Sequence, residues 1–366
     1  MTGQYAHNHE VLKNSQGEHL PQKRTIQRAL WMDGYNTFLA GKFLNGWDIQ
    51  ESPPFFDRWA LQRWGYYDAE FNVNGVVQEV PEYSVKFVGD EAISSLEQFE
   101  VDDDNPWFGY VAPFAAHKPY VAQEKYADAK VGNWFGNPAV REKRLGDKPE
   151  FASDRRISKA AAREIRRKQL RTLLAADDTV GRIMTWLRDH DELRDTLAVF
   201  VSDNGRSWGE HQIDGKRLPY TESVEIALIA RWPGHFRAGS NDDRLVTNLD
   251  IPATIWRAAR LRPEHQIDGF GLQTAQKRSR VLLEHWGHFR NGGVPSWAST
   301  RTRSFQYVEY YGRNNRRIFR EYYDLQRDPW MLENLFHNGS KKDDPHGPPL
   351  RDKLAADRGC SGTGCP

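Results

Sequence analysis

The sequence predicts an α/β fold, a mostly parallel central sheet flanked by helices and followed by a smaller C-terminal antiparallel subdomain. Residues 107–112 are a near-continuous apolar run, the pattern of a central parallel strand covered on both faces, and 197–201 read as a hydrophobic strand; both lead into polar, ligand-type residues. Between them, residues 160–190 place Leu170, Leu173, Leu174, Val180, Ile183, Met184 and Leu187 at helical spacing. Near the end, residues 278–286, 303–311 and 317–324 read as strands of a small antiparallel sheet. The expected division is 1–260 and 261–366, with the boundary at 261–267.

Taken in order, the first 25 residues are polar and read as loop near the active site, and 26–33 as a short helix. Residues 35–40 form a strand that delivers Gly41-Lys42 at its end, where open α/β sheets place ligand groups. Most lysines are solvated surface residues, but this position favours a functional one. Residues 59–67 and 71–80 suggest a hairpin around Asn74-Gly75, a pair that tolerates positive φ. A helix at 83–99 exits through Asp102-Asp103-Asp104-Asn105, a solvated acidic loop. The 107–112 strand delivers His117, and an imidazole there suits proton donation to a leaving alkoxide. Residues 131–158, rich in Gly, Pro and charge, read as a loop over the site entrance. The basic run 163–171 reads as a solvated helix face, since no interleaved aromatics stand nearby in sequence. A buried strand at 226–231, a helix at 247–259 and a helix or turn at 330–337 complete the pass. Trp286 and Tyr310 are expected in the core.

The densest chemistry follows the 197–201 strand. Asp203 and Asn204 offer one anionic and one neutral oxygen side by side, which suits Ca²⁺ or Mg²⁺, and Lys216 stands a short loop away, suited to an oxyanion. Alone, Asp203-Asn204-Gly205 is an ordinary turn; its neighbours outweigh that reading.

Acidic and basic residues nearly balance, 50 against 51, so no global field favours a nucleic acid. The sequence has no apolar run long enough for a membrane span, and its start lacks the charged and apolar regions of a signal peptide. Cys360 and Cys365 flank a Gly-rich spacer and could close a small disulfide loop, as in an oxidising compartment, or remain two thiols.

Five ordered blocks carry a family resemblance: 34–46 with Gly41-Lys42 and Asn45, 110–120 with His117-Lys118-Pro119, 197–234, Asn248-Leu249-Asp250-Ile251-Pro252, and 323–329. In these the chain resembles the type I sulfatases of the alkaline phosphatase superfamily, nearest the branch that includes N-acetylglucosamine-6-sulfatases. The resemblance implies an alkaline phosphatase-like fold, a Ca²⁺ or Mg²⁺ ion on Asp203 and Asn204, and catalytic roles for Lys42 and Lys216 on the sulfate and for His117 as general acid. It also implies His7, Asn8, Asn45 and His211 as pocket residues contacting substrate, and a sulfated small molecule or glycan as partner, outside the cytoplasm.

The family nucleophile is a formylglycine made within Cys/Ser-x-Pro-x-Arg, and that motif does not occur in this sequence. Met1-Thr2-Gly3-Gln4-Tyr5 resembles the segment that follows it, so the expectation is a truncated, inactive chain lacking the first strand. The alternatives are a non-catalytic remnant that binds an oxyanion or sugar, and a phosphoester hydrolase of the same superfamily.

Overall fold

The computed structural model describes residues 1–102, 104–287 and 293–366, apart from the side chains of 153–155. Two short helices, α1 (Ala6–His9) and α2 (Ile26–Met32), precede the first sheet. That sheet holds β1 (Asn36–Lys42), β2 (Arg58–Gln62), β3 (Ala69–Val73), β4 (Val76–Val80) and β5 (Trp107–Ala112) in the order β4-β3-β2-β1-β5. It is mixed: β1 runs parallel to β2 and β5, while β3 and β4 add antiparallel margins. The turn at Asn74-Gly75 joins β3 to β4 with positive φ at both residues, 48° and 94°. The hairpin is formed by β3 and β4 over 69–80, and 59–67 instead contributes β2, which runs beside it.

Strand periodicity sorts β1 between two cores. Phe38 and Ala40 face α3 (Ser84–Phe99) and α4 (Lys159–Asp189), meeting Val88, Ala92, Leu96, Trp186 and Leu187. Leu39 turns the other way, onto Ile49, Phe56 and Leu61. Fully burying each such side chain stabilises by about 1.5–3 kcal/mol. At the end of β1, Gly41 has φ 108°, and a Cβ there would fall 2.2 Å from the Ala112 carbonyl oxygen of β5. Only glycine fits this approach, which fixes the backbone that carries Lys42.

The α4 helix matches expectation in extent but not in its buried face. Leu173 and Val180 are about two-fifths exposed, while Thr172, Ala175, Ala176 and Thr179 are buried. Small residues mark this face because α3 lies close: a Cβ on Gly89 would fall 2.9 Å from Thr179 Cγ2.

The two strands expected to be buried, 107–112 and 226–231, both lie partly open to solvent. β5 pairs only with β1 and ends the sheet, leaving Tyr110 36% exposed. β6 (Ala198–Val201) is separate from that sheet. After β7 (Ser207–Trp208), β8 (Asp214–Gly215) and α5 (Thr221–Val224), β9 (Leu228–Arg231) returns to pair with it antiparallel. The cross-strand pair Phe200 and Ile229 is 45% and 66% exposed. These strands are apolar but, among the described residues, each lacks a neighbour on one edge.

α6 (Asp250–Ala258) then leads to a four-stranded antiparallel sheet of β10 (Val281–His285), β11 (Ser296–Arg301), β12 (Phe305–Tyr311) and β13 (Arg317–Asp324). β11 and the final helix α7 (Gly347–Asp357) were not anticipated; 330–337 forms turns. One sheet face, with Trp297, Val308, Tyr310 and Tyr323, packs on Ile213, Leu218 and Tyr220; the other packs Tyr307 and Tyr311 with Leu354 of α7. Trp286 is only partly buried, while Tyr310 is in the core. Of the acidic cluster, Asp104 and Asn105 are exposed and Asp103 lies outside the described residues.

Candidate active site

Lys42, His117, Asp203, Asn204 and Lys216 come from four separate segments and converge. Lys216 Nζ donates to Asn204 Oδ1 at 2.5 Å. Asp203 attracts both Lys42 and Lys216, and His117 feels all three charges. Gly205 secures the acidic side of the pocket: its N–H donates to the Ser223 carbonyl at 3.1 Å, and a Cβ there would meet Glu222 O at 2.2 Å. Lys216 is held from behind by the C-terminal sheet. Trp297 Nε1 donates to Arg217 O at 2.8 Å, and Tyr220 Oη donates to Glu321 Oε1 at 3.0 Å.

Burial pushes both lysine ammoniums below the ordinary lysine value, and Asp203 opposes that shift in each. Burial, aided by Lys42 and Lys216, likewise lowers His117, against the Lys118 carbonyl and Asp203. Two half-desolvated cations with one carboxylate between them favour an incoming anion. Aromatic walls were the part sequence reasoning missed. Lys42 Nζ lies 5.4 Å from the Trp64 ring and 5.8 Å from Phe114, and the His117 ring lies 5.5 and 5.2 Å from the same two. Arg206, over the Tyr120 ring at 5.7 Å and paired with Asp214, adds charge that Lys216 feels. The signal for Trp64 was available, as an aromatic just beyond the strand parallel to β1.

The other candidates differ in placement. Asn45 is exposed on the rim of a cavity of about 50 Å³ that begins at Lys42 and ends at Trp64. His211, 1% exposed, bonds Glu142 Oε2 through Nδ1 at 2.6 Å and packs on the Tyr220 ring at 4.3 Å. Its imidazole is walled into the protein and braces the Lys216 loop. His7 and Asn8 bond the C-terminal region instead of lining the pocket. His7 joins Glu284 Oε2 and Cys360 O, both at 2.9 Å, and Asn8 Nδ2 donates to Asp268 Oδ2 and Cys360 O. The Cys360–Cys365 disulfide closes the loop that carries the Cys360 carbonyl both residues reach.

The largest influence on His7, burial, lowers its pKa, but Glu284 and the Cys360 carbonyl lift it to a net rise. A raised folded-state value means His7 stabilises fully below the unfolded value of about 6.5, and that stabilisation is lost as pH rises through the folded value. His7→Gln is thus expected to lower the urea midpoint more at pH 5.5 than at pH 8.5. Equal losses at both would remove this account.

The residues present do not by themselves make a calcium site. Ca²⁺ takes six to eight oxygens. Asp203 and Asn204 offer two side chains, one already bonded to Lys216, and no group of three or more acidic, His or Cys ligands occurs among the described residues.

The family model for sulfatases matches residues 1–261, and one described as N-sulphoglucosamine sulphohydrolase, C-terminal, matches 209–355. N-acetylglucosamine-6-sulfatase of Homo sapiens is 27% identical over 401 residues, covering 92% of this chain and 71% of that protein. N-acetylglucosamine-6-O-sulfatase of Bacteroides thetaiotaomicron is 23% identical over 414 residues, covering 92% and 72%. A solved structure of a protein in complex with its substrate D-glucosamine-2-N,6-O-disulfate superposes with TM-score 0.80 at 21% identity, over 97% of this chain and 85% of the other. A phosphonate monoester hydrolase from Silicibacter pomeroyi gives TM-score 0.69 at 19% identity, over 97% and 82%. The sulfatase match spans the whole segment from α1 through α6, including every residue of the converging pocket, and the chain belongs to the sulfatase family.

Proposed function

We propose that the pocket binds the sulfate of a sulfuric ester on a carbohydrate, and that residues 1–260 form the catalytic part while 261–366 brace it. The supporting observation is the convergence of Lys42 and Lys216, both partly desolvated, on the loop of Asp203 and Asn204 beside His117. The lysines neutralise the sulfate, where preorganised charge in a low-dielectric pocket acts most strongly. His117 Nδ1 lies 3.1 Å from the Lys118 carbonyl, which orients the ring. An arriving anion offsets the lysine charges and favours the imidazolium, the form that can protonate a leaving alkoxide. No residue of this sequence lies in a formylglycine motif. The tail disulfide fits an extracellular or periplasmic setting. No helix among the described residues is long and apolar enough to cross a membrane.

Calorimetric titration with glucosamine 6-sulfate tests the pocket. Lys42→Ala and Lys216→Ala should each weaken binding about tenfold or more, the scale of a charge-assisted hydrogen bond. Asp203→Ala, in the absence of divalent cation, should tighten it by removing a repulsive charge. Lysine variants that bind as well as the parent would rule the pocket out. A pair of lysines serves phosphate as readily as sulfate, so the phosphoester reading stands as a second one; much tighter binding of glucosamine 6-phosphate would favour it.

A further inference from the structure

We propose that a cleft between α4 and the 131–135 loop is a second carbohydrate site, holding an acidic sugar unit of the same chain whose sulfate ester enters the Lys42–Lys216 pocket. This rests on the sulfated-carbohydrate reading above. The cleft has a volume of about 410 Å³, within the range of ligand pockets, and its lining includes Trp134, Phe135, Arg163, Arg166 and Arg167.

Its chemistry is cationic and aromatic together. The Arg166 guanidinium lies 5.8 Å from the Trp134 ring and 5.4 Å from Trp208, and the two indoles stand edge to face at 6.1 Å. Arg166 Nη1 donates to Gly132 O at 3.3 Å, while its Nε is buried with no acceptor among the described residues. Arg163 is exposed and makes no ion pair among the described residues. Arg167 is exposed and shares its charge with Glu164. Phe135, 72% exposed, adds an open aromatic ring to the same lining. Guanidinium forks take a carboxylate or sulfate in two parallel bonds, and flat aromatic faces take the apolar face of a sugar ring. The sequence separates these aromatics from the arginines by a loop of chain, so the basic run alone resembles a solvated helix face.

The cleft is linked to the reacting pocket through Trp208, under Arg166, and Gln169. Gln169 accepts from Trp208 Nε1 at 2.6 Å and donates to Ala116 O at 3.0 Å, the residue before His117. Arg163 to Gln169 spans about 9 Å along the helix axis. A sugar seated over Trp134 and Arg166 would rest on the helix whose Gln169 holds the loop carrying His117, which is the basis for one chain reaching both sites.

The test is calorimetry on the full chain with two probes, glucosamine 6-sulfate and a heparin hexasaccharide. The hexasaccharide should bind at least tenfold tighter than the monosaccharide. The exposed-residue variants Arg163→Ala/Arg167→Ala and Phe135→Ala should each cut hexasaccharide affinity at least fivefold and leave the monosaccharide unchanged. Hexasaccharide affinity that is unaltered in both variants, or no better than the monosaccharide, would overturn the proposal. Polyphosphate or a single-stranded oligothymidine binding as tightly as the hexasaccharide would also overturn it, by showing simple polyanion or nucleic-acid binding. Loss of monosaccharide binding with the variant effects intact would count against the ester pocket and for the cleft.

Discussion

Glu321→Ala is expected to lower stability by about 3–5 kcal/mol, because it strands three phenols inside the protein. Glu321 is fully buried on β13 and accepts from Tyr220, Tyr310 and Tyr323 at 3.0, 2.7 and 3.0 Å. Burial pushes its carboxyl above the ordinary glutamate value, and the three hydroxyls with Lys148 oppose that rise. The same cluster reaches Lys148, whose ammonium contacts Asp147 at 2.9 Å and Glu142 at 3.2 Å, and through Glu142 it reaches His211. Damage at Glu321 is therefore expected at the Lys216 loop as well. Urea unfolding should show the loss, and glucosamine 6-sulfate binding should weaken with it. Glu321→Gln, which keeps an acceptor oxygen, should recover part of both. A drop below about 1 kcal/mol in the alanine variant would mean that water replaces the carboxylate.

An effect of similar size is expected at the start of α6. The Asp250 and Arg278 side chains, 1% and 5% exposed, form a two-pronged pair at 2.5 and 2.6 Å. Asp250 also accepts from the Thr247 and Phe270 amides at 2.8 and 2.7 Å, and the guanidinium lies 4.5 Å from the Phe270 ring. Arg278→Ala leaves a buried carboxylate without its cation, at a cost of about 3–5 kcal/mol. Arg278→Lys should recover little, because an ammonium cannot form the parallel pair of bonds. Urea midpoints of the two variants check this, and a lysine variant as stable as the parent would show that charge alone suffices.

The residues at strand ends were the legible part of this chain. Lys42, His117, Asp203 and Lys216 follow apolar runs or glycine turns, and the structure brings them together as that placement implies. The edges of the same strands were not legible. Residues 107–112 and 226–231 have the composition of buried strands, but burial depends on a neighbour, and β5 and β9 each pair on one side only among the described residues. The α4 face was misjudged for a related reason: Leu173 and Val180 advertise hydrophobicity, whereas close helix contact selects Ala175, Ala176 and Thr179. His7 and Asn8 sit in a segment whose family resemblance pointed to the pocket. Their partners, Glu284, Asp268 and Cys360, are about 260 or more residues away, a separation that no local pattern encodes.

The bonds around Cys360 also determine how the described chain would carry a mechanical load. Asp268 receives the Tyr5 and Gly362 amides at 2.7 and 2.6 Å, so one buried carboxylate rivets α1 to the disulfide loop. Pulling residues 5–8 away from residues 360–362 would load this rivet and the His7 clasp together with the Asp268 amide, which donates to the Gly3 carbonyl at 2.8 Å. Residues 5–8 and the disulfide loop thus act as a fastener that shares such a load among several bonds instead of leaving it to one.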